Sequence, residues 1–204
     1  MDRIEHGRME REFFNRLAEN WDDNYENDVP KAKYVASLMD LGGSEKILDV
    51  GTGTGVMIPF YEEALDAGSV VATDISDGMI ARAIAKYPPS EHPKVRFEAV
   101  DVYDIIPTGD YDAVVCNSCL PHFHDKPEAV RLLSKCLKSG GKMVVSHSCS
   151  REAINRVHMH HHAVIRHDVV PDLNEIEEMF ASAGITPTFR RSDGECHIII
   201  GVKD

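Results

Sequence analysis

Apolar positions along this chain follow two rhythms that take turns. Short apolar runs bounded by glycine, proline or acids recur at 46–50, 69–73, 94–99, 112–116 and 142–147 and read as buried strands. Stretches of helical periodicity lie among them at 55–65, 77–86 and 126–138. Such alternation argues for a parallel sheet with right-handed crossovers and helices on both faces. The chain closes with a helix at 173–183 and strands at 186–191 and 196–202, joined by the turn Ser192-Asp193-Gly194. Ahead of the sheet, Phe13, Phe14, Leu17 and Trp21 stand at helical spacing and predict an amphipathic helix over 10–21. A second helix at 31–39 stops at Gly42-Gly43, as a helix C-terminus should. Residues 151–165 read as a further helix, with Ile154, Val157, His161 and Val164 or Ile165 on one stripe.

The 204 residues suffice for one domain with a full core, and 43% hydrophobic with 27% charged residues is ordinary for a globular protein. The expected organisation is a single domain over 1–204. Residues 1–43 form a helical cap, and 44–204 form the core with a His-rich helical insert at about 148–170. No apolar run reaches the length of a membrane span, and no signal-peptide core follows Met1. Five cysteines, an odd number without framework spacing, fit a reducing compartment, so a cytoplasmic protein is expected. The net charge of −12 leaves no Lys/Arg face for nucleic acid. No nucleic-acid and no membrane partner is therefore expected, and the chain is expected as a monomer or homodimer.

The stretch 46–57, KILDVGTGTGVM, adds chemistry to the pattern. A buried strand carrying Asp49 breaks into Gly51-Thr52-Gly53-Thr54-Gly55, where backbone can pass close to a ligand and helix amides face it. A dinucleotide fingerprint would need a third glycine where Val56 stands. The second strand ends in Asp74, 23 residues past Gly51, a distance at which a carboxylate accepts ribose hydroxyls in nucleotide-binding α/β units. As a plain helix N-cap Asp74 is less well placed than Ser76 or Asp77. Asp101 follows the third strand and Asn117 ends the fourth. Polar groups thus collect at the carboxyl ends of successive strands, where open α/β sheets bind ligands.

The run D-x-G-x-G-x-G resembles motif I of the class I S-adenosylmethionine-dependent methyltransferases, and ATDISDGMIARA (72–83) resembles their second motif. RLAENWDDNY resembles the cap before motif I in small-molecule members, including the quinone-biosynthesis type. Leu120-Pro121-His122-Phe123-His124-Asp125 resembles their L-H-H-F-x-D loop, with Pro121 replacing the first histidine. Lys138-Ser139-Gly140-Gly141 resembles the L-K-P-G-G turn, with serine where proline is usual. The resemblance implies an α/β fold with a Rossmann-like, seven-stranded, mostly parallel sheet whose last strand is antiparallel. It also implies helices on both faces, an N-terminal helical cap, and S-adenosylmethionine as cofactor. By the same resemblance Asp49, Gly51, Thr52, Gly53 and Gly55 hold its amino-acid end, and Asp74 the ribose. Ile75, Met79 and Val102 lie around adenine, Asp101 beside the adenine amino group, and Asn117 completes the site. The chain lacks the N-P-P-Y motif of enzymes methylating adenine or glutamine nitrogen, and has no Pro-Cys nucleophile for carbon 5 of cytosine. A small-molecule acceptor is what remains.

Eleven histidines are the unusual feature. His158, His161 and His162 stand at i, i+3 and i+4 of the helix expected at 151–165, so their rings can converge, whereas His160 points elsewhere. Three readings stay open. The rings could be wall of a His-lined acceptor pocket between the cap and the 148–170 segment. One of His122, His147 and His158 could be a catalytic base. His158 and His162 could ligate a divalent transition metal, the i, i+4 spacing of helical ligands. The last has as its extension a metal-binding or sensor protein on a methyltransferase fold. Cys116-x-x-Cys119 reads as a loop that holds two thiols, or as a redox or metal pair.

Overall fold

A computed structural model of the chain describes residues 2–24, 29–160 and 164–204. They gather into two compact units, Met1–Ile105 and Ile106–Asp204.

The first unit opens on α1 (Arg3–Leu17), a 3-10 turn at Ala18–Asn20, and α2 (Trp21–Asn24). The apolar rhythm places the first helix at 10–21, yet α1 starts at Arg3, because the Asp2 side chain accepts the Glu5 amide at 2.8 Å and caps it. Its early turns are polar, so periodicity misses them. α3 (Val29–Leu38) carries Pro30 in its first turn. Then come β1 (Lys46–Val50), α4 (Ile58–Ala64), β2 (Ser69–Asp74), α5 (Asp77–Lys86) and β3 (Val95–Ala99). α4 begins later than expected, at Ile58, with Pro59 in its first turn; the glycine stretch before it stays in turns. The three strands lie in the order β3-β2-β1, all parallel, with Ile47 opposite Val70 and Val70 opposite Val95. Ile47, Leu48 and Val70 are at most 1% exposed. Burying each such side chain contributes roughly 1.5–3 kcal/mol.

The second unit holds β4 (Tyr111–Asn117), α6 (Lys126–Ser134), β5 (Leu137–His147), α7 (Arg151–His160), α8 (Leu173–Ser182), β6 (Ile185–Ser192) and β7 (His197–Lys203). Its strand order is β4-β5-β7-β6. β4 and β5 are parallel, and β7 runs against both neighbours, so the last strand of the chain is the antiparallel one. α6 ends before the expected 138 because Leu137 already pairs with Tyr111. The register then slips to Ala113 opposite Lys142, and the Gly140-Gly141 stretch takes up the irregularity. α8 starts on a capping box, Asp172 and Glu175 serving each other's backbone amides.

α7 departs most from expectation. Val157, expected on one apolar stripe with Ile154, is 51% exposed, whereas His158 is buried at 9%. His160 is exposed. The expected partners His161 and His162 lie outside the described residues, and residues 164–167 form a turn. Among the described residues there are seven strands, and no helix is long and apolar enough to cross a membrane.

Candidate cofactor and acceptor site

In the first unit the glycine turn is held from below by one acid and from the side by another. Gly51, Gly53 and Gly55 have φ of +67°, +56° and +87°, a left-handed path that side chains resist. A Cβ built on Gly53 would meet nothing within 4 Å, so that part of the loop is bare. Thr52 donates its amide to the Thr73 carbonyl at 2.9 Å, pinning the turn to β2. The Gly53 amide donates to Asp74 Oδ2 at 2.9 Å, and Ser76 donates its amide to Asp74 Oδ1 at 2.8 Å. Both oxygens of Asp74 thus accept backbone amides, one from the glycine turn and one from the start of α5.

Asp49 sits under the turn at 1% exposure and accepts from Thr52 Oγ1 at 2.7 Å and from the Tyr61 hydroxyl at 3.3 Å. Burial pushes its pKa up to about 7, against the two hydroxyl donors and with help from the nearby Asp74 charge. A buried acid of this kind suits a cationic group, such as the ammonium of an aminoacyl chain. These donors and acceptors fit S-adenosylmethionine: acid for the amino-acid end, bare loop, carboxylate for the ribose.

The residues expected around adenine have the first helix for a neighbour. Asp101 Oδ1 accepts the Tyr103 amide at 3.1 Å. A Cβ on Gly7 of α1 would stand 2.9 Å from Asp101 Oδ2 and 3.6 Å from Ile75 Cδ1. The cap helix therefore lies on two of the residues assigned to adenine. It is latched there by Asn15 Oδ1, which accepts from Ser76 Oγ at 2.6 Å and from the Gly78 amide at 2.8 Å. Arg11 pairs with Asp77 at 3.1 Å, and Thr54 of the glycine turn donates to Asp22 at 2.6 Å. Val102 is 6% and Met79 1% exposed, so both are buried.

In the second unit, Asn117 ends β4 with its Oδ1 accepting from Ser146 Oγ at 2.9 Å. Ser118 takes φ +59°, a strained position for a residue with a side chain, and its amide donates to the Ser146 carbonyl at 2.7 Å. The 3-10 turn Leu120–His122 follows. His122 Nδ1 lies 2.7 Å from Asp168 Oδ2, and His158 Nδ1 donates to the Asp168 carbonyl at 2.5 Å. The His122 and His158 rings are 5.1 Å apart. His147 and His197 stand 6.2 Å apart at the paired ends of β5 and β7. His147 is 1% exposed, and its Nε2 has no hydrogen-bond partner among the described residues. Burial, then the charges of His197, His122 and His158, lowers its pKa to about 3. His147 therefore stays neutral near pH 7 and is too weakly basic there to hold an acceptor's proton well.

Of the sequence candidates in this unit, His122, His147 and His158 come from three different elements around one end of its sheet. The proposed metal pair has His158 described and His162 outside the described residues. Cys116 and Cys119 are both buried, and neither is in a disulfide. Asp168 is the residue that motif reading missed. Its only signal was an acid between two histidine-bearing segments and Pro171, which no spacing rule singles out.

A methyltransferase domain family matches residues 7–188 of the chain. Wheat (Triticum aestivum) phosphoethanolamine N-methyltransferase is 31% identical over 122 residues, covering 59% of this chain and 24% of that protein. Malonyl-[acyl-carrier protein] O-methyltransferase of Acetivibrio thermocellus is 30% identical over 135 residues, 65% of this chain and 47% of that one. The matched stretch thus spans from a quarter to about half of these curated relatives. The crystal structure of a SAM dependent methyltransferase from Aquifex aeolicus superposes with a TM-score of 0.75 at 17% identity, over 93% of this chain and 98% of the other. On the family match and the shared architecture, the chain belongs to the methyltransferase domain family, with the Rossmann-like fold of the class I S-adenosylmethionine-dependent methyltransferases.

Proposed function

We propose that this chain transfers the methyl group of S-adenosylmethionine to a small-molecule acceptor. Asp49, Gly51, Thr52, Gly53 and Gly55 hold the amino-acid end, Asp74 the ribose, and Ile75, Met79, Asp101 and Val102 the adenine. Asn117, braced by Ser146, serves at the end of β4. His122, His147 and His158 line the acceptor side, where His122 or His158 takes the acceptor's proton. Bound there, the cofactor supplies a methyl carbon already activated by its sulfonium. What is left to the protein is to position the nucleophile, shed water and remove a proton where the nucleophile holds one tightly. α1, lying against Asp101 and Ile75, suits the second task.

The observation that carries this reading is the Asp74 carboxylate, fixed by the Gly53 and Ser76 amides at the lip of a bare glycine turn. Calorimetric titration with S-adenosylhomocysteine tests it. Asp74→Ala weakens binding by about 10- to 100-fold, from the loss of two hydrogen bonds to a charged group. Wild-type affinity in that variant refutes the assignment.

A further inference from the structure

His147 and His197 stand opposite each other in the β5–β7 register, and both are 1% exposed. Only one of the two rings is settled. Burial lowers the pKa of His197 from the ordinary 6.5, so its ring is neutral near pH 7. The Pro171 carbonyl at 3.0 Å can only accept, so His197 Nε2 donates to it and Nδ1 accepts from Ser192 Oγ at 2.8 Å. That carbonyl is itself held in place. Beside it, the Val170 amide donates to Asn155 Oδ1 at 2.8 Å, and the Val170 carbonyl accepts from Arg151 Nε at 2.9 Å. His147 Nε2, by contrast, is buried with no hydrogen-bond partner among the described residues. A buried polar atom left in that state costs stability, and native chains keep few of them.

We infer that His147 Nε2 binds an uncharged hydroxyl or carbonyl oxygen of the methyl acceptor, a group other than the one that receives the methyl. This rests on the methyl-transfer reading above. His147 is the last residue of β5, and open α/β sheets take their ligands at the carboxyl ends of strands. Charge decides the kind of group. The groups whose charges bear on His147 are the imidazoles of His197, His122 and His158, and with burial they push its pKa down to about 3. The Asp168 carboxylate is engaged with His122 Nδ1 at 2.7 Å. An ionised group set against His147 would therefore be buried without a counter-charge of its own, which is costly. A neutral imidazole meets a hydroxyl or carbonyl in one hydrogen bond. A hydroxyl suits either tautomer of the ring, and a carbonyl needs the proton on Nε2.

Two other occupants fit this nitrogen less well. A bound transition metal needs several ligands at once. Among the described residues His147 stands in no set of three His, Cys, Asp or Glu ligand atoms that lie within 4.8 Å of one another. A trapped water needs two to four polar partners, and both nitrogens of the neighbouring His197 are already engaged.

The test has two arms. In the first, nitrogen-15 NMR follows the His147 ring, with and without S-adenosylhomocysteine, as phenol, benzyl alcohol and cyclohexanone are titrated in. Toluene, benzoate and benzylamine serve as controls. A saturable Nε2 shift with the oxygen probes alone supports the assignment. No shift up to their solubility limits, an equal shift with a control, or a stoichiometric shift with Zn²⁺ overturns it. In the second arm, a metabolite extract is incubated with labelled cofactor, and the labelled product identifies the acceptor. His147→Leu is expected to raise KM for that acceptor by about 10- to 100-fold, with kcat changed less. His147→Gln, whose amide reaches to where Nε2 stands, brings KM back to within a few-fold. An analogue of the acceptor that lacks the oxygen is indifferent to both changes. An equal loss for acceptor and analogue marks His147 as merely structural and overturns the inference, as does an acceptor with no uncharged hydroxyl or carbonyl besides its nucleophile. Absence of any labelled product from protein that binds the cofactor overturns the methyl-transfer reading instead, and the first arm still decides what His147 binds.

Discussion

The Gly53 amide donates to Asp74 Oδ2 at 2.9 Å across 21 residues of chain. The carboxylate assigned to the ribose is therefore also the prop of the glycine turn. Asp74→Ala leaves the Gly53 and Ser76 amides without their acceptor, which costs about 1–3 kcal/mol. Urea unfolding of the cofactor-free protein is expected to show that loss, besides the loss of affinity. Unchanged stability would mean that loop and acid are independent.

Asp49 gives a pH signature. Between pH 3.8 and about 7 the folded protein keeps a proton that the unfolded chain has lost, so stability falls as pH rises through that window. Asp49→Asn removes the penalty. It is expected to stabilise the cofactor-free protein by roughly 1–4 kcal/mol at pH 8 and to leave it unchanged near pH 4. The same substitution weakens cofactor binding, which calorimetry reads.

His147 has the opposite sign. Its folded pKa, near 3, lies below the ordinary 6.5, so the unfolded chain binds a proton first. The linked contribution is present above pH 6.5 and is lost on acidification toward pH 3, by about 1.4 kcal/mol per pH unit. His147→Leu keeps the volume and discards the titration. Its denaturation midpoint is expected to fall less steeply than the wild type's from pH 6.5 downward.

Gly7 separates stability from binding. Alanine there raises helix propensity by about 1 kcal/mol. The new methyl stands 2.9 Å from Asp101 Oδ2, the end of a side chain that can swing away. Gly7→Ala is expected to hold or raise the cofactor-free melting temperature while lowering cofactor affinity several-fold. Unaltered affinity would place α1 off the adenosine site.

The sequence carried the sheet and the cofactor residues because each rests on local rules. A five-residue apolar run before glycines makes β1, and an acid at the end of β2 lands beside the turn whatever the rest of the chain does. It carried less where distant contacts decide. α6 stops early because Leu137 pairs with Tyr111, which no helical period encodes. Val157 faces out and His158 in because His158 finds the Asp168 carbonyl, a partner ten residues on through a non-helical segment. Asp168 itself was invisible for the same reason: its role exists only once a turn and a helix bring it to His122.

The segment that aims Asp168 takes its bearings from Arg151, Asn155 and His158, which share one face of α7 at i, i+4 and i+7. Substitutions along that single stripe would re-aim the acid without touching one glycine or acid of the first unit. Descendants of this chain could then vary the surroundings of His122 at little risk to the glycine turn and its acids.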